Sequence, residues 1–202
     1  MKYKNLTVSQ KGLSLIESAM VLAISAVVVS GVLYYYNQAQ ENRKLEEGIK
    51  QIQTIAASVN KLYTNSTTRL QNGDNTVNNK IVEAISAISG IPTTEAHGAK
   101  VFTTPSGQWV QFWVEKGSSI NTYQLETQVQ SASSCISYAT LNMGTIMAAK
   151  TKIFAGDKEQ TENNSPASTN FSLSPSVAST LCKNAENQKN GNNIKVRYTL
   201  RY

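Results

Sequence analysis

The chain has 202 residues, a formal net charge of +6 and only 16% charged residues, against roughly 25% in an average soluble protein. Its length favours one domain over two, and its two cysteines and single histidine exclude a multi-disulfide scaffold, a four-cysteine zinc site and most catalytic triads. No Lys/Arg-rich stretch interleaves with aromatics, so nucleic acid is not an implied partner; Asn, Gln, Ser and Thr crowd the chain from about residue 60 and solvate it in the manner of an exported protein.

The first forty residues carry most of the apolar signal. Leu13 to Tyr36 holds 18 apolar residues out of 24, and Ser18 to Gln40 contains no charge. At about 1.5 Å per residue the uncharged run spans roughly 35 Å, enough to cross a hydrocarbon core of about 30 Å. Lys2, Lys4 and Lys11 precede it, whereas Glu41, Arg43, Lys44, Glu46 and Glu47 sum to −1 behind it. The asymmetry places the N-terminus in the cytoplasm and the polar bulk outside, where a disulfide persists. The run is too long for the apolar region of a secretory signal peptide.

Glu17 interrupts this run. An acidic residue at the centre of a membrane helix costs about 2.5 to 3.5 kcal/mol on insertion scales. Either a partner offsets its charge, or it lies close enough to the interface to stay hydrated.

The stretch Lys11-Gly12-Leu13-Ser14-Leu15-Ile16-Glu17-Ser18-Ala19-Met20-Val21-Leu22-Ala23 resembles the leader junction of type IV pilins and pseudopilins. Leu13 in place of Phe points to the type IVb branch. Cys135-Ile136-Ser137-Tyr138-Ala139-Thr140-Leu141-Asn142-Met143-Gly144, and Ser174-Pro175 through Cys182-Lys183-Asn184, are most similar to the bundlins, the major subunits of bundle-forming pili.

The resemblance implies an α+β type IV pilin fold, a long N-terminal helix packed on a globular head with an antiparallel β-sheet. It implies that a prepilin peptidase cuts between Gly12 and Leu13, that Leu13 becomes the methylated N-terminus, and that Glu17 is the assembly carboxylate. The partners implied are further copies of the chain in a helical filament, the prepilin peptidase, and an assembly platform, ATPase and outer-membrane secretin. The location implied is the inner membrane before assembly and the extracellular pilus after it. Chemistry agrees at two points: a new amine at Leu13 is a positive partner for a buried glutamate, and Gly12 lets a protease approach the backbone closely. The other reading of Gly12 is a flexible hinge before a helix.

Beyond Gln40 the pattern becomes amphipathic. Leu45, Ile49, Ile52, Ala56, Val59 and Tyr63 recur at helical steps, widened by Ile55 and Leu62. One helix over residues 13–64, membrane-spanning over about 13–36, is expected, followed by a head over 65–202. Many type IV pilins place a proline in the apolar half; here the weak points are Ser30-Gly31 and Gly48. Ala19, Ala23, Ser25, Ala26, Ser30 and Gly31 either permit close helix approach or are ordinary small residues of an apolar span.

In the head, Asn72-Gly73-Asp74-Asn75 reads as a turn. A short helix through Val77, Ile81, Ala84, Ile85 and Ile88 then stops at Gly90 and Pro92. Strands are expected at 101–103, 109–114 and 123–129, and a C-terminal strand with Ile194, Val196, Tyr198, Leu200 and Tyr202 on one face. Its opposite face, Lys195, Arg197, Thr199 and Arg201, is either solvated or meets an acidic neighbour.

Cys135 and Cys182 have no CxxC spacing, and a disulfide between them is the economical reading, each on a short helix, around 134–142 and from Pro175 behind the cap Ser174. The resemblance makes the disulfide-bounded region 135–182 an exposed, subunit-contacting part of a filament, and Gly156 to Asn170 reads as a polar loop. His97, with only Glu95 nearby, makes no metal or catalytic spacing. No catalytic residue, cofactor motif or metal-ligand set is read, so the expectation is a structural protein and not an enzyme. Two competitors stand beside a major pilin: a minor pilin or pseudopilin that primes or caps a filament, and a bitopic membrane enzyme with an uncleaved anchor.

Overall fold

A computed structural model of the chain describes residues 14–67, 69–71, 74–115, 121–161, 171–190 and 192–202. The leader with Gly12, Leu13, the Asn72-Gly73 pair, and residues 116–120 and 162–170 lie outside the described residues.

The first helix, α1 (Leu15–Tyr63), has 49 residues, so at about 1.5 Å per residue it is roughly 74 Å long. It starts where the sequence offers a cap. The Ser14 hydroxyl accepts from the Glu17 N–H at 3.2 Å, and the Ser14 carbonyl accepts from the Ser18 N–H at 3.0 Å. Ser14-Leu15-Ile16-Glu17 thus has the S-x-x-E spacing of a capping box.

The chain divides into two compact units after Asn42. In the first, the large apolar side chains of α1 from Leu15 to Tyr36 are all exposed. An 18-residue window here has a mean hydropathy of 2.1 and no buried residue. In the second unit, α1 buries Gly48, Ile52, Ile55, Ala56, Ser58 and Val59.

That second unit has one core. Helix α2 (Asn75–Ser89) is capped by the Asp74 carboxylate, which accepts from the Thr76 and Val77 N–H groups, and it ends on Gly90 at φ 71°. Seven strands follow among the described residues: β1 (Thr93–Ala96), β2 (Ala99–Thr103), β3 (Trp109–Trp113), β4 (Thr122–Val129), β5 (Lys152–Ala155), β6 (Lys158–Gln160) and β7 (Ile194–Arg201). They form one sheet in the order β1-β2-β3-β4-β7-β5-β6, every pair antiparallel. Helices α3 (Ala132–Ala139) and α4 (Pro175–Gln188) lie in the connections. The inward side chains Phe102, Val110, Phe112, Tyr123, Leu125, Val196, Tyr198 and Leu200 join Ile52, Ile55 and Val59 of α1 and Ile81, Val82 and Ile85 of α2 in a single apolar cluster.

Three strands, β1, β5 and β6, are absent from the sequence reading. The expected loop from Gly156 contains β6, paired with β5 through a two-residue turn whose first residue, Gly156, has φ 62°. Its three residues, Lys158, Glu159 and Gln160, show no hydrophobic alternation because β6 is an edge strand. Likewise β1, Thr-Thr-Glu-Ala, is an edge strand joined to β2 by His97-Gly98 at φ 52° and 78°. Two successive positive φ values mark a type I′ hairpin turn.

Candidate functional site

The apolar half of α1 is a surface with its polar groups turned inward. The Ser18 hydroxyl donates to the Leu15 carbonyl at 3.0 Å, Ser25 to Val21 at 2.7 Å and Ser30 to Ala26 at 2.7 Å. Each hydroxyl is satisfied within its own helix, which suits a span removed from water. A Cβ added at Gly31 would meet nothing within 4 Å, so this glycine leaves a shallow site open to an approaching helix. Ala19, Ala23, Ala26 and Ser30, at steps of four, three and four, share one side of α1.

Glu17 is exposed in the first turn of α1. The helix dipole favours a carboxylate there by about 0.3 to 1 kcal/mol. That is too little to offset burial of an unpaired charge, which costs several kcal/mol. Capping therefore accounts for Glu17 while it is hydrated, and burial requires a cation beside it. Gly12 and Leu13, the expected cleavage pair, lie outside the described residues.

Cys135 on α3 and Cys182 on α4 form a disulfide with Cα atoms 5.8 Å apart, and both residues are fully buried. Each helix has its serine cap. The Ser131 hydroxyl accepts from the Ser134 N–H at 3.3 Å, and the Ser174 hydroxyl from the Val177 N–H at 3.4 Å ahead of Pro175. The stretch before α4 is stitched down by Leu173 N–H to the Ala139 carbonyl and Thr151 N–H to the Phe171 carbonyl. Closing a loop with a sequence separation of 47 stabilises by about 4 kcal/mol in the chain-entropy model.

Tyr138 ties this region to α1, a role that spacing alone did not reveal. A Cβ on Gly48 would collide with the Tyr138 hydroxyl, so Gly48 is a notch for a phenol, whatever it costs the helix in propensity. The Tyr138 carbonyl accepts the Tyr198 hydroxyl at 2.7 Å, joining α3 to β7. Burial pushes the Tyr138 phenol up to about 12, and burial, then the neighbouring Tyr138, pushes Tyr198 well above its usual range. Tyr123, beside Phe112 and Tyr202, is raised by burial too. The legible sign was an isolated glycine inside a helical pattern.

The basic face of the C-terminal strand is partly solvated, with Arg201 exposed and Lys195, Arg197 and Thr199 half-buried, and its side chains find partners on neighbouring elements because β7 lies between β4 and β5. Arg197 contacts the Glu126 carboxylate at 2.6 and 2.8 Å and stacks over Phe154 and Trp113 at 4.2 and 5.0 Å. Lys195 pairs with Asp157 at 3.1 Å, Thr199 donates to Gln124 at 2.9 Å, and Arg201 donates to the Met147 carbonyl at 2.9 Å. Cross-strand neighbours supply partners that a single strand cannot show. His97 is a hairpin residue edge-on to Trp109 at 6.0 Å. Among the described residues, no three His, Cys, Asp or Glu side chains are grouped as metal ligands.

The family model described as Bundlin matches residues 37–201. The chain is 31% identical over 181 residues to the "Major structural subunit of bundle-forming pilus" of Escherichia coli O127:H6, covering 88% of this chain and 90% of that protein. It is 31% identical over 186 residues to the protein of the same name from Escherichia coli O111:H-, with the same coverage. The crystal structure of a type IVb pilin from Salmonella typhi has the same fold, with a TM-score of 0.50 at 14% identity, covering 77% of this chain and 97% of that one.

Proposed function

The chain belongs to the bundlin family, and on that premise we propose that it is the major structural subunit of a type IVb pilus. It polymerises through α1 into extracellular filaments that serve adhesion, bacterial aggregation and host colonisation. The observation that carries this reading is the exposed, apolar first half of α1, with Glu17 in its first turn as its one charge, on a chain related to major pilus subunits.

The route begins in the inner membrane, with residues 1–12 as a cytoplasmic leader and about 13–36 as the span. Prepilin peptidase cuts between Gly12 and Leu13, and Leu13 is methylated. The subunit then enters a filament built by an assembly platform and ATPase and leaves through an outer-membrane secretin. Residues 65–202 form the head, with 135–182 its disulfide-bounded surface region. One heterologous contact repeated by a rotation that does not close yields an open filament from one small subunit. The role is structural and not enzymatic.

Energetics assign Glu17 its part. The apolar side chains leave lipid for other helices, so they gain little from the hydrophobic effect on assembly. What distinguishes the correct position is close packing and the Glu17 charge. An unpaired carboxylate in the filament core is strongly unfavourable, and the amine of Leu13 is a cation suited to offset it.

Mass spectrometry of the mature N-terminus in sheared surface fibres tests the reading. N-methylated Leu13 on the dominant fibre protein is expected. Another N-terminus contradicts the processing route, and a trace amount in fibres built of a different subunit identifies a priming or capping pilin.

A further inference from the structure

The polar inventory of α1 changes at one place. The serine hydroxyls up to Ser30 close onto carbonyls of their own helix. The next hydroxyls belong to three consecutive tyrosines, Tyr34, Tyr35 and Tyr36, which are 73%, 75% and 57% exposed. The Tyr36 hydroxyl accepts from the Gln40 amide at 2.6 Å, on the side leading toward the charged residues beyond Glu41. A phenol is too long and rigid to return its hydroxyl to a carbonyl one turn back, so Tyr34 and Tyr35 need partners outside the helix.

Successive residues on an α-helix point about 100° apart, so the three phenols cover more than half the circumference. Such a set does not select one packing direction; it selects a depth. From Leu15 to Tyr35 the helix rises about 30 Å at about 1.5 Å per residue, the thickness of a hydrocarbon core. Amphipathic rings collect where hydrocarbon meets headgroups.

From these observations we infer that Tyr34, Tyr35 and Tyr36 are an interfacial girdle that docks in the outer headgroup layer of the inner membrane and sets the depth of the unassembled subunit. With Tyr35 at the outer boundary, Leu15 lies at the inner one. Glu17, two residues on, stays within reach of cytoplasmic water until assembly removes it. The girdle thereby holds the assembly carboxylate in its hydrated position. The inference rests on the membrane-resident stage proposed above.

The test uses the full chain in a bacterial inner membrane without its assembly partners, with single cysteines at Ile24, Leu33, Asn37 or Gln40 and a membrane-impermeant maleimide added from the periplasmic side. Ile24→Cys and Leu33→Cys should stay unlabelled, and Asn37→Cys and Gln40→Cys should react. Replacing all three tyrosines by leucine lengthens the apolar run, so the helix sinks by about one turn and Asn37→Cys labelling falls about fivefold while Gln40→Cys still reacts. Replacing them by tryptophan, also an interfacial ring, should keep Asn37→Cys reactive.

Unchanged Asn37→Cys labelling in the leucine variant overturns the inference, as does an equal loss in the tryptophan variant. Labelling of Ile24→Cys overturns the membrane-resident stage itself, so the two failures are distinguishable.

Discussion

Between Leu15 and Tyr36, α1 exposes large apolar side chains all around its circumference, whereas between Gly48 and Val59 it buries Ile52, Ile55 and Val59 and leaves Lys50 and Gln53 exposed. The backbone is the same helix in both; the solvents differ. An amphipathic stripe is matched to a partner inside the chain, here a sheet with inward Phe102, Leu125 and Tyr198. The apolar surface has no polar side and no such partner among the described residues, and the proposed function gives it lipid and then other subunits as surroundings.

The largest effect should come from the one charge in the apolar half. In Glu17→Ala, leader removal should proceed normally while sheared fibre yield falls by about tenfold or more, if the carboxylate has the assembly role proposed for it. Normal fibre yield would remove the functional distinction drawn for that half.

The head answers to the disulfide. Cys135→Ser should leave the apolar half untouched and lower unfolding stability by about 4 kcal/mol in denaturant titration, out of a typical 5 to 15. A loss below about 1 kcal/mol would mean that the apolar core alone holds α3 and α4 together.

A smaller effect is expected in alkali. The Tyr138 phenol ionises near 10 when unfolded and at about 12 in the folded chain. Above pH 10 the unfolded state therefore binds fewer protons than the folded one, and stability falls with rising pH. The contribution is complete below pH 10 and lost by about 12, and Tyr138→Phe should flatten the decline in an unfolding series over that window.

The smallest effects compare two glycines of α1 directly. Gly48→Ala forces a methyl against the Tyr138 hydroxyl and should destabilise the head by about 1 to 2 kcal/mol, overpacking exceeding the helix-propensity gain. The second change Tyr138→Phe should recover most of it. Gly31→Ala meets no neighbouring atom and should stabilise the helix by up to about 1 kcal/mol by circular dichroism melting. Equal shifts for both glycines would erase the contrast between the halves.

Elements whose cause is local were legible from the chain. The long helix declares itself by hydropathy and then by its stripe, α2 by the Asp74 cap and Gly90, and α4 by Ser174-Pro175. Strands with one buried face alternate visibly, as β7 does. What escaped was short or paired across the fold. Edge strands β1 and β6 lack apolar alternation. Arg197 meets Glu126 across 71 positions of sequence, and Gly48 meets Tyr138 from another helix.

The sequence by itself determined where the apolar helix lies, where its one internal charge sits, which face of its second half is buried, and which two cysteines are available to pair, because periodicity, capping and charge act over a few neighbouring residues. Only the tertiary structure decided that the last strand enters the middle of the sheet, that Lys195 and Arg197 meet Asp157 and Glu126, and that Gly48 receives Tyr138. Those outcomes depend on which distant segments become neighbours, and the residues involved carry no local pattern from which that adjacency can be read.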